Sequence, residues 1–317
     1  MKDCELKCKN DVVPKKEGFD FIMKKLASVL VASTMVAFFG GDLASAESSD
    51  RNYLINEKGF DSEFIEDAHD DVIKELITKD SVPVDLDIER ETIYHSLDGK
   101  SYEQTEDNKE EIDKIRERDI KLHNEENPDE QVLVDQGSSI MRDWNSQVNF
   151  GSFYGGTNIA YFGKKGNEHE YKIFGQWMYD SPVSFYNGYD TLGLLWGNKL
   201  TGISNSETAY AWVKAFNADG HYMRDNSHNI SVTPEVYGAY ADIKVSTASE
   251  QGAEFGYEVR VPDRYDGDTE SVVTAWAHPY FNGSVGVNIG PGSINFDNFS
   301  GDEERWRTNF TIGGSPN

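Results

Sequence analysis

Asp263-Arg-Tyr-Asp266-Gly-Asp268-Thr-Glu270 sets four carboxylates within eight residues. Oxygen ligands clustered on a turn suit Ca2+, and extracellular sites for this ion can be weak. The spacing is not that of an EF-hand loop, so Asp263, Asp266, Asp268 and Glu270 read either as a weak calcium site or as a solvated hairpin turn; no other cofactor is expected. Paired acids offer a second chemistry, because a glycosidase needs only two carboxyl groups about 5–10 Å apart. Asp180, Asp190, Glu235, Asp242 and Glu258 all fall on or beside expected strands. Near them Trp177, Trp196, Tyr237, Tyr240 and Trp276 carry aromatic faces that could hold a ligand such as a sugar ring. Acids also decorate the solvent face of any antiparallel sheet, so these aromatics are taken as the candidate ligand-binding set and no catalytic residue is assigned.

Other chemistries find less support. His169, His221, His228 and His278 are scattered and lack the H-E-x-x-H spacing of a helical zinc site. Gly202-Ile-Ser204-Asn-Ser206 lacks the second glycine of a nucleophile elbow. Glycine-rich phosphate loops are absent, since the glycines here mark hairpin turns. Cys4 and Cys8 are the two cysteines, and both precede the expected mature chain, which excludes thiol catalysis there. A formal charge of −26 argues against a nucleic-acid partner, because affinity for phosphate backbones comes from Lys and Arg that release counterions.

The elements that must position these residues are strands. From Ser271 to Phe296, Val272, Thr274, Trp276, His278 and Tyr280 alternate with Val273, Ala275 and Ala277; Val285, Val287 and Ile289 then resume the period of two. Successive strand side chains point to opposite faces, so the pattern predicts an antiparallel meander with one face buried. Asn187-Gly188, Asp219-Gly220, Asp266-Gly267 and Asn282-Gly283 are hairpin-turn dipeptides. No helical run interrupts the second half, and all six tryptophans, Trp144 to Trp306, lie in it. The expected fold is mainly β: an antiparallel sandwich or barrel over residues 137–317, preceded by a short acidic helical segment at 47–136.

That segment carries 11 basic against 29 acidic residues. Phe64, Ile65, Ala68, Val72, Leu76 and Ile77 recur at helical spacing, predicting one helix from Asp61 to Lys79 with Asp61 as N-cap. A second, more exposed helix is expected near Asp107 to His123, and a linker over Asn124 to Asp135. Ordinary solvated helices and a pro-segment that is clipped or mobile after export are both open readings. Met23-Lys24-Lys25, an apolar run from Leu26 to Phe39, and Ala44-Ser45-Ala46 form a secretory signal with cleavage expected after Ala46, so residues 1–46 read as extension plus signal peptide. The run is too short for a span, which needs about 20 apolar residues, so no membrane anchor is expected in the mature chain.

Tyr53-Leu54, Gly59-Phe60, Phe64-Ile65 and Asp190-Thr-Leu-Gly-Leu-Leu-Trp196-Gly197 resemble segments of uncharacterised secreted proteins of Gram-positive bacteria. The resemblance implies a signal peptide and a short helical segment ahead of a β-rich domain; it implies no activity and transfers no functional residue. The expected role is therefore exported, non-catalytic binding at or outside the cell envelope, with a glycan or protein as partner. A β-pore-forming protein, suggested by the alternating polarity of Ile230 to Val245, of which only Val236 to Val245 approaches lipid-spanning length, and a secreted glycoside hydrolase are the alternatives.

Overall fold

The computed structural model describes residues 48–128, 153–179, 188–216, 222–245, 250–281 and 285–314. Residues 1–46, where a signal peptide is expected, Trp144, the part of the expected linker at residues 129–135, and the expected turns at Asp219-Gly220 and Asn282-Gly283 lie outside them. The chain divides into Met1–Asp50 and Arg51–Asn317, and the second unit holds the strands. Its helices are α1 (residues 48–56, entering this unit at Arg51), α2 (Ser62–Asp67), α3 (Asp70–Thr78) and α4 (Lys109–Glu126). Its strands are β1 (Val82–Pro83), β2 (Asp87–His95), β3 (Ser101–Gln104), β4 (Phe153–Lys165), β5 (Glu168–Tyr179), β6 (Tyr189–Trp196), β7 (Thr201–Gly202) and β8 (Thr208–Phe216). They continue as β9 (Tyr222–Asn229), β10 (Val232–Pro234), β11 (Gly238–Lys244), β12 (Glu250–Pro262), β13 (Thr269–Pro279), β14 (Gly286–Gly290), β15 (Ser293–Asp297) and β16 (Gly301–Thr311).

The fold is mainly β, as the alternation predicts. One antiparallel sheet runs β1-β4-β5-β12-β8-β9, with β7 also paired to β12; the other runs β10-β11-β6-β13-β16-β2-β3. Inward residues of both, among them Ile173, Trp177, Leu192, Leu194, Phe255, Val272, Trp276 and Trp306, form one core. Alternation explains the set: Val272 and Trp276 face the core, while Val273, Ala275 and Ala277 point to the other face. Those outward positions are nonetheless buried, because β14 and β15 do not extend the sheet as a meander. They form a separate hairpin that lays Ile294 and Phe296 over Leu195, Val273, Ala275 and Ala277.

The expected boundary at 136/137 is not a boundary of the fold. β1 pairs with β4, β2 pairs with β16 from Asp87 to His95, and β3 closes the same sheet. The acidic stretch thus supplies strands to both sheets, which overturns the mobile pro-segment reading for its described part. The single helix expected over 61–79 is two helices. Asp61 caps α2 as anticipated, its Oδ1 accepting from Glu63 N at 2.9 Å and Phe64 N at 3.0 Å. The chain then extends at Ala68 and His69. The freed His69 N–H donates to Glu254 of β12 at 2.6 Å, and Arg51 Nη2 donates to the Ala68 carbonyl at 2.9 Å. Leu54, Phe64, Ile65, Val72, Ile73 and Leu76 still cover Ala160 and Phe174 on the outer face of the first sheet. Each such side chain contributes roughly 1.5–3 kcal/mol when fully buried. α4 docks through Ile112 and Ile120 beside Tyr94 and Tyr280.

Candidate functional site

The aromatic set does not form a surface. Trp177, Trp196 and Trp276 are at most 2% exposed and lie within the core. Tyr237 packs beside the β14–β15 hairpin, and Tyr240 is half-buried on β11. Inward strand positions claimed the tryptophans because their large apolar area outweighs any gain from display. The strand acids also diverge. Asp190 is buried in the core, Asp242 accepts from Thr191 Oγ1 at 2.7 Å, Glu258 pairs with Lys79 at 2.7 Å on the helix-covered face, and Glu235 is exposed. Asp180 lies outside the described residues. Within the stretch at 236–245 the strand β11 spans seven residues, fewer than the about 9–11 of a lipid-spanning strand, and it pairs on both sides.

The acidic loop is occupied by its neighbours. Asp263 meets Lys164 at 2.8 Å, Asp266 meets His169 at 2.6 Å and Asp268 meets Lys199 at 3.1 Å. Glu270 accepts from the backbone of Ser271 at 2.9 Å and Lys199 at 3.2 Å. The hydrogen bond from Lys164 is the main cause that holds the Asp263 carboxyl below its ordinary pKa. Among the described residues, no three His, Cys, Asp or Glu side chains gather as a metal site.

One imidazole sits in a buried latch. Asp190 Oδ1 lies 2.6 Å from His278 Nδ1, while its Oδ2 accepts from Trp276 Nε1 at 2.9 Å and Tyr179 OH at 3.1 Å. Burial opposes a charge on His278, but the Asp190 carboxylate and its hydrogen bond outweigh that and raise the pKa. Alongside, Asp302 accepts from the Tyr280 hydroxyl and from Arg116 Nη2 at 2.9 Å. These groups tie β5, β6, β13, β16 and α4 together at one end of the sandwich. His221 lies outside the described residues, and nothing is described of the His228 side chain.

A solvent-facing site lies on the outer face of the second sheet, between the β14–β15 hairpin and the edge strand β3. Residues directly opposite in a sheet share a face, so Arg305 and Arg307 of β16 stand beside Glu91 and Glu89 of β2. Here a depression of about 250 Å3 is lined by these four with Glu103, Gly292 and Ser293. Toward the strand ends a larger one of about 540 Å3 is lined by His95, Ser101, Leu97, Phe281, Phe296, Asn298 and Phe299. A further hollow of about 610 Å3 between the start of α2 and β1–β2 brings together no nucleophile and base.

The larger groove has a polar floor fixed by a hairpin. Leu97-Asp98-Gly99 turns the chain, with Gly99 at φ +78° and Ser96 N donating to the Lys100 carbonyl at 2.9 Å. The next pair, His95 and Ser101, is then of the non-hydrogen-bonded type, with Cα atoms about 4.5 Å apart and side chains adjacent. Ser101 Oγ lies 3.0 Å from His95 Nδ1, and His95 Nε2 lies 2.6 Å from Glu303 Oε2. Sequence reading missed this trio because it assigned residues 47–136 to helices. The Asp98-Gly99 dipeptide between Thr92-Ile-Tyr-His95 and Ser101-Tyr-Glu-Gln104 was the available hairpin signal. Among the described residues, no helix is long and apolar enough to cross a membrane.

The fold and groove define a two-sheet antiparallel β protein with packed helices. No protein-family model matches the chain, and no curated protein matches it. Parts of it are similar to solved surface-protein domains. The pilus backbone of Streptococcus pneumoniae is 11% identical, with 37% of this chain and 43% of that chain covered, at a TM-score of 0.26. The collagen-binding subdomain of the Enterococcus faecalis surface protein ACE is 8% identical over 50% of this chain and 94% of that one, at 0.27. The collagen-binding domain of the Erysipelothrix rhusiopathiae surface protein RspB is 10% identical over 44% and 41%, at 0.23. The chain spans under half the length of the pilus protein it matches.

Proposed function

We propose that the protein is exported and binds a component of the cell envelope, a glycan or an exposed protein, in the groove on the outer face of its second sheet. One observation carries the reading: phenylalanines 281, 296 and 299 wall a depression of about 540 Å3 whose floor presents hydroxyl, imidazole and amide groups. Apolar walls with a few placed polar groups are the usual make-up of a ligand site. Export is supported by the Met23-to-Ala46 leader pattern. The binding face thus moves from the tryptophans to the groove.

The test is co-sedimentation of the mature chain with purified Gram-positive cell walls, before and after removal of their protein and of their glycan polymers. Leu97 lines the groove at 42% exposure, so Leu97→Trp fills it without disturbing the core. The expected result is wall binding by the wild type and its loss in Leu97→Trp at unchanged melting temperature. Wall binding that survives Leu97→Trp would refute the groove as the binding face, and a wild type left wholly in the supernatant would refute envelope binding.

A further inference from the structure

The trio in the groove floor goes beyond what ligand binding requires. An ionised Glu303 only accepts, which suits the tautomer of His95 with its proton on Nε2, and in that tautomer Nδ1 is the acceptor for the Ser101 hydroxyl. We propose that Ser101 is a nucleophile, that His95 is its general base, and that the groove accepts carboxylic esters with an apolar acyl chain. The inference rests on the same groove as the binding reading.

The burial gradient along the trio has the order this chemistry needs. The Glu303 side chain is fully buried, that of His95 is 15% exposed, and Ser101 is open to solvent. The orienting carboxylate is therefore shielded while the hydroxyl faces the groove. Glu303 uses its two oxygens separately: Oε1 is held by Arg305 Nε, which leaves Oε2 to fix the imidazole. A nucleophile and base within hydrogen-bond reach, with the base oriented by a third group, is the general signature of an activated hydroxyl. Ser101 also lies on the edge strand of its sheet. Because it forms a non-hydrogen-bonded pair with His95, its own N–H points away from β2 toward the free edge, where it can donate to an oxyanion forming beside Oγ. Phe281, Phe296 and Phe299 supply the apolar wall for the acyl chain.

The step balances without a further reagent. Ser101 Oγ bonds to the ester carbonyl carbon as its proton passes to His95 Nδ1. The carbon–oxygen bond to the alcohol then breaks, and the alcohol leaves with that proton. Water repeats the sequence on the acyl-serine, releasing the carboxylic acid and restoring the hydroxyl. Glu303 is a positioning residue that acts through His95.

The experiment exposes the intact mature chain to an alkyl fluorophosphonate and follows adduct formation by peptide mass spectrometry, with 4-nitrophenyl butyrate hydrolysis alongside. The Oγ–P bond should form with loss of fluoride on Ser101. Ser101→Ala should carry no adduct, and His95→Asn should label about 10²–10⁴-fold more slowly. Glu303→Gln should lower kcat for the ester while leaving KM in place, a split that mere loosening of the strand would not give. Wild type without an adduct on Ser101, or Ser101→Ala that hydrolyses the ester at the wild-type rate, would overturn the inference. The two readings fail separately: wild type that is labelled on Ser101 but stays in the supernatant with cell walls keeps this inference and refutes the binding reading, whereas wild type that sediments with walls but carries no adduct does the reverse.

Discussion

Replacing Asp190 by Asn tests how the end of the sandwich is held. The carboxylate is 1% exposed and takes three contacts, from His278 at 2.6 Å, Trp276 at 2.9 Å and Tyr179 at 3.1 Å. Asn keeps the shape but removes the charge, and its amide turns a donor toward one of these donors. Breaking one partner of a buried ion pair costs about 3–5 kcal/mol. At about 2–4 °C per kcal/mol for a chain of this size, the melting temperature should fall by roughly 6–20 °C. The loss depends on pH in a stated direction. The folded His278 pKa is raised above its ordinary value of 6.5, so the pair's contribution is complete below the unfolded value and declines as pH rises through the folded one. Urea unfolding of wild type and Asp190→Asn should therefore differ most at mildly acid pH and less in alkali. A cost under about 1 kcal/mol, or a gap that widens with rising pH, would refute this account of the latch.

Three further outcomes are expected from packing and charge. A Cβ on Gly155 would stand 2.6 Å from Trp306 Cη2, so Gly155→Ala should cost about 1–3 kcal/mol in urea unfolding by overpacking. Ile294 is 2% exposed beneath the β14–β15 hairpin, so Ile294→Ala should cost about 2–5 kcal/mol and raise dye binding as Leu195 and Val273 open to water. Since Asp263, Asp266 and Asp268 each face a separate partner, Lys164, His169 and Lys199, millimolar calcium should leave the melting temperature of residues 47–317 unchanged. A rise with calcium and a fall with chelator would restore the calcium reading.

Much of the fold is legible in local pattern, because local pattern reports faces and ends of elements. Asp61 as N-cap and the alternation along β13 are both readable, since each is set by residues within a few positions. The break between α2 and α3 is not, for its cause is Glu254, which is 185 positions away from the His69 amide it accepts from. The cover on β13 had a local trace. Val273, Ala275 and Ala277 are apolar on the face expected to meet water, and the hairpin that buries them explains why. The acidic stretch misled because charge density describes solvated faces, whereas β2 is recruited by pairing with β16, a partner some two hundred residues distant. The site shares that origin. His95 and Ser101 are joined by a turn visible in the sequence, but Glu303 reaches them only through the β2–β16 register, 208 positions from His95.

The central claim is that Asp87–His95 and Ser101–Gln104 are strands of the second sheet, whose His95 and Ser101 line the groove while Glu303 of β16 holds His95. Hydrogen exchange on residues 47–317, resolved by peptide, measures this directly. Amides of Thr92–His95, paired by β16 on one side and β3 on the other, should exchange as slowly as those of Gly301–Thr311, and in residues 87–91 the amides that point at β16 should be slow as well. Rapid exchange across Asp87–His95 while Gly301–Thr311 stays protected would contradict the claim, and with it the groove.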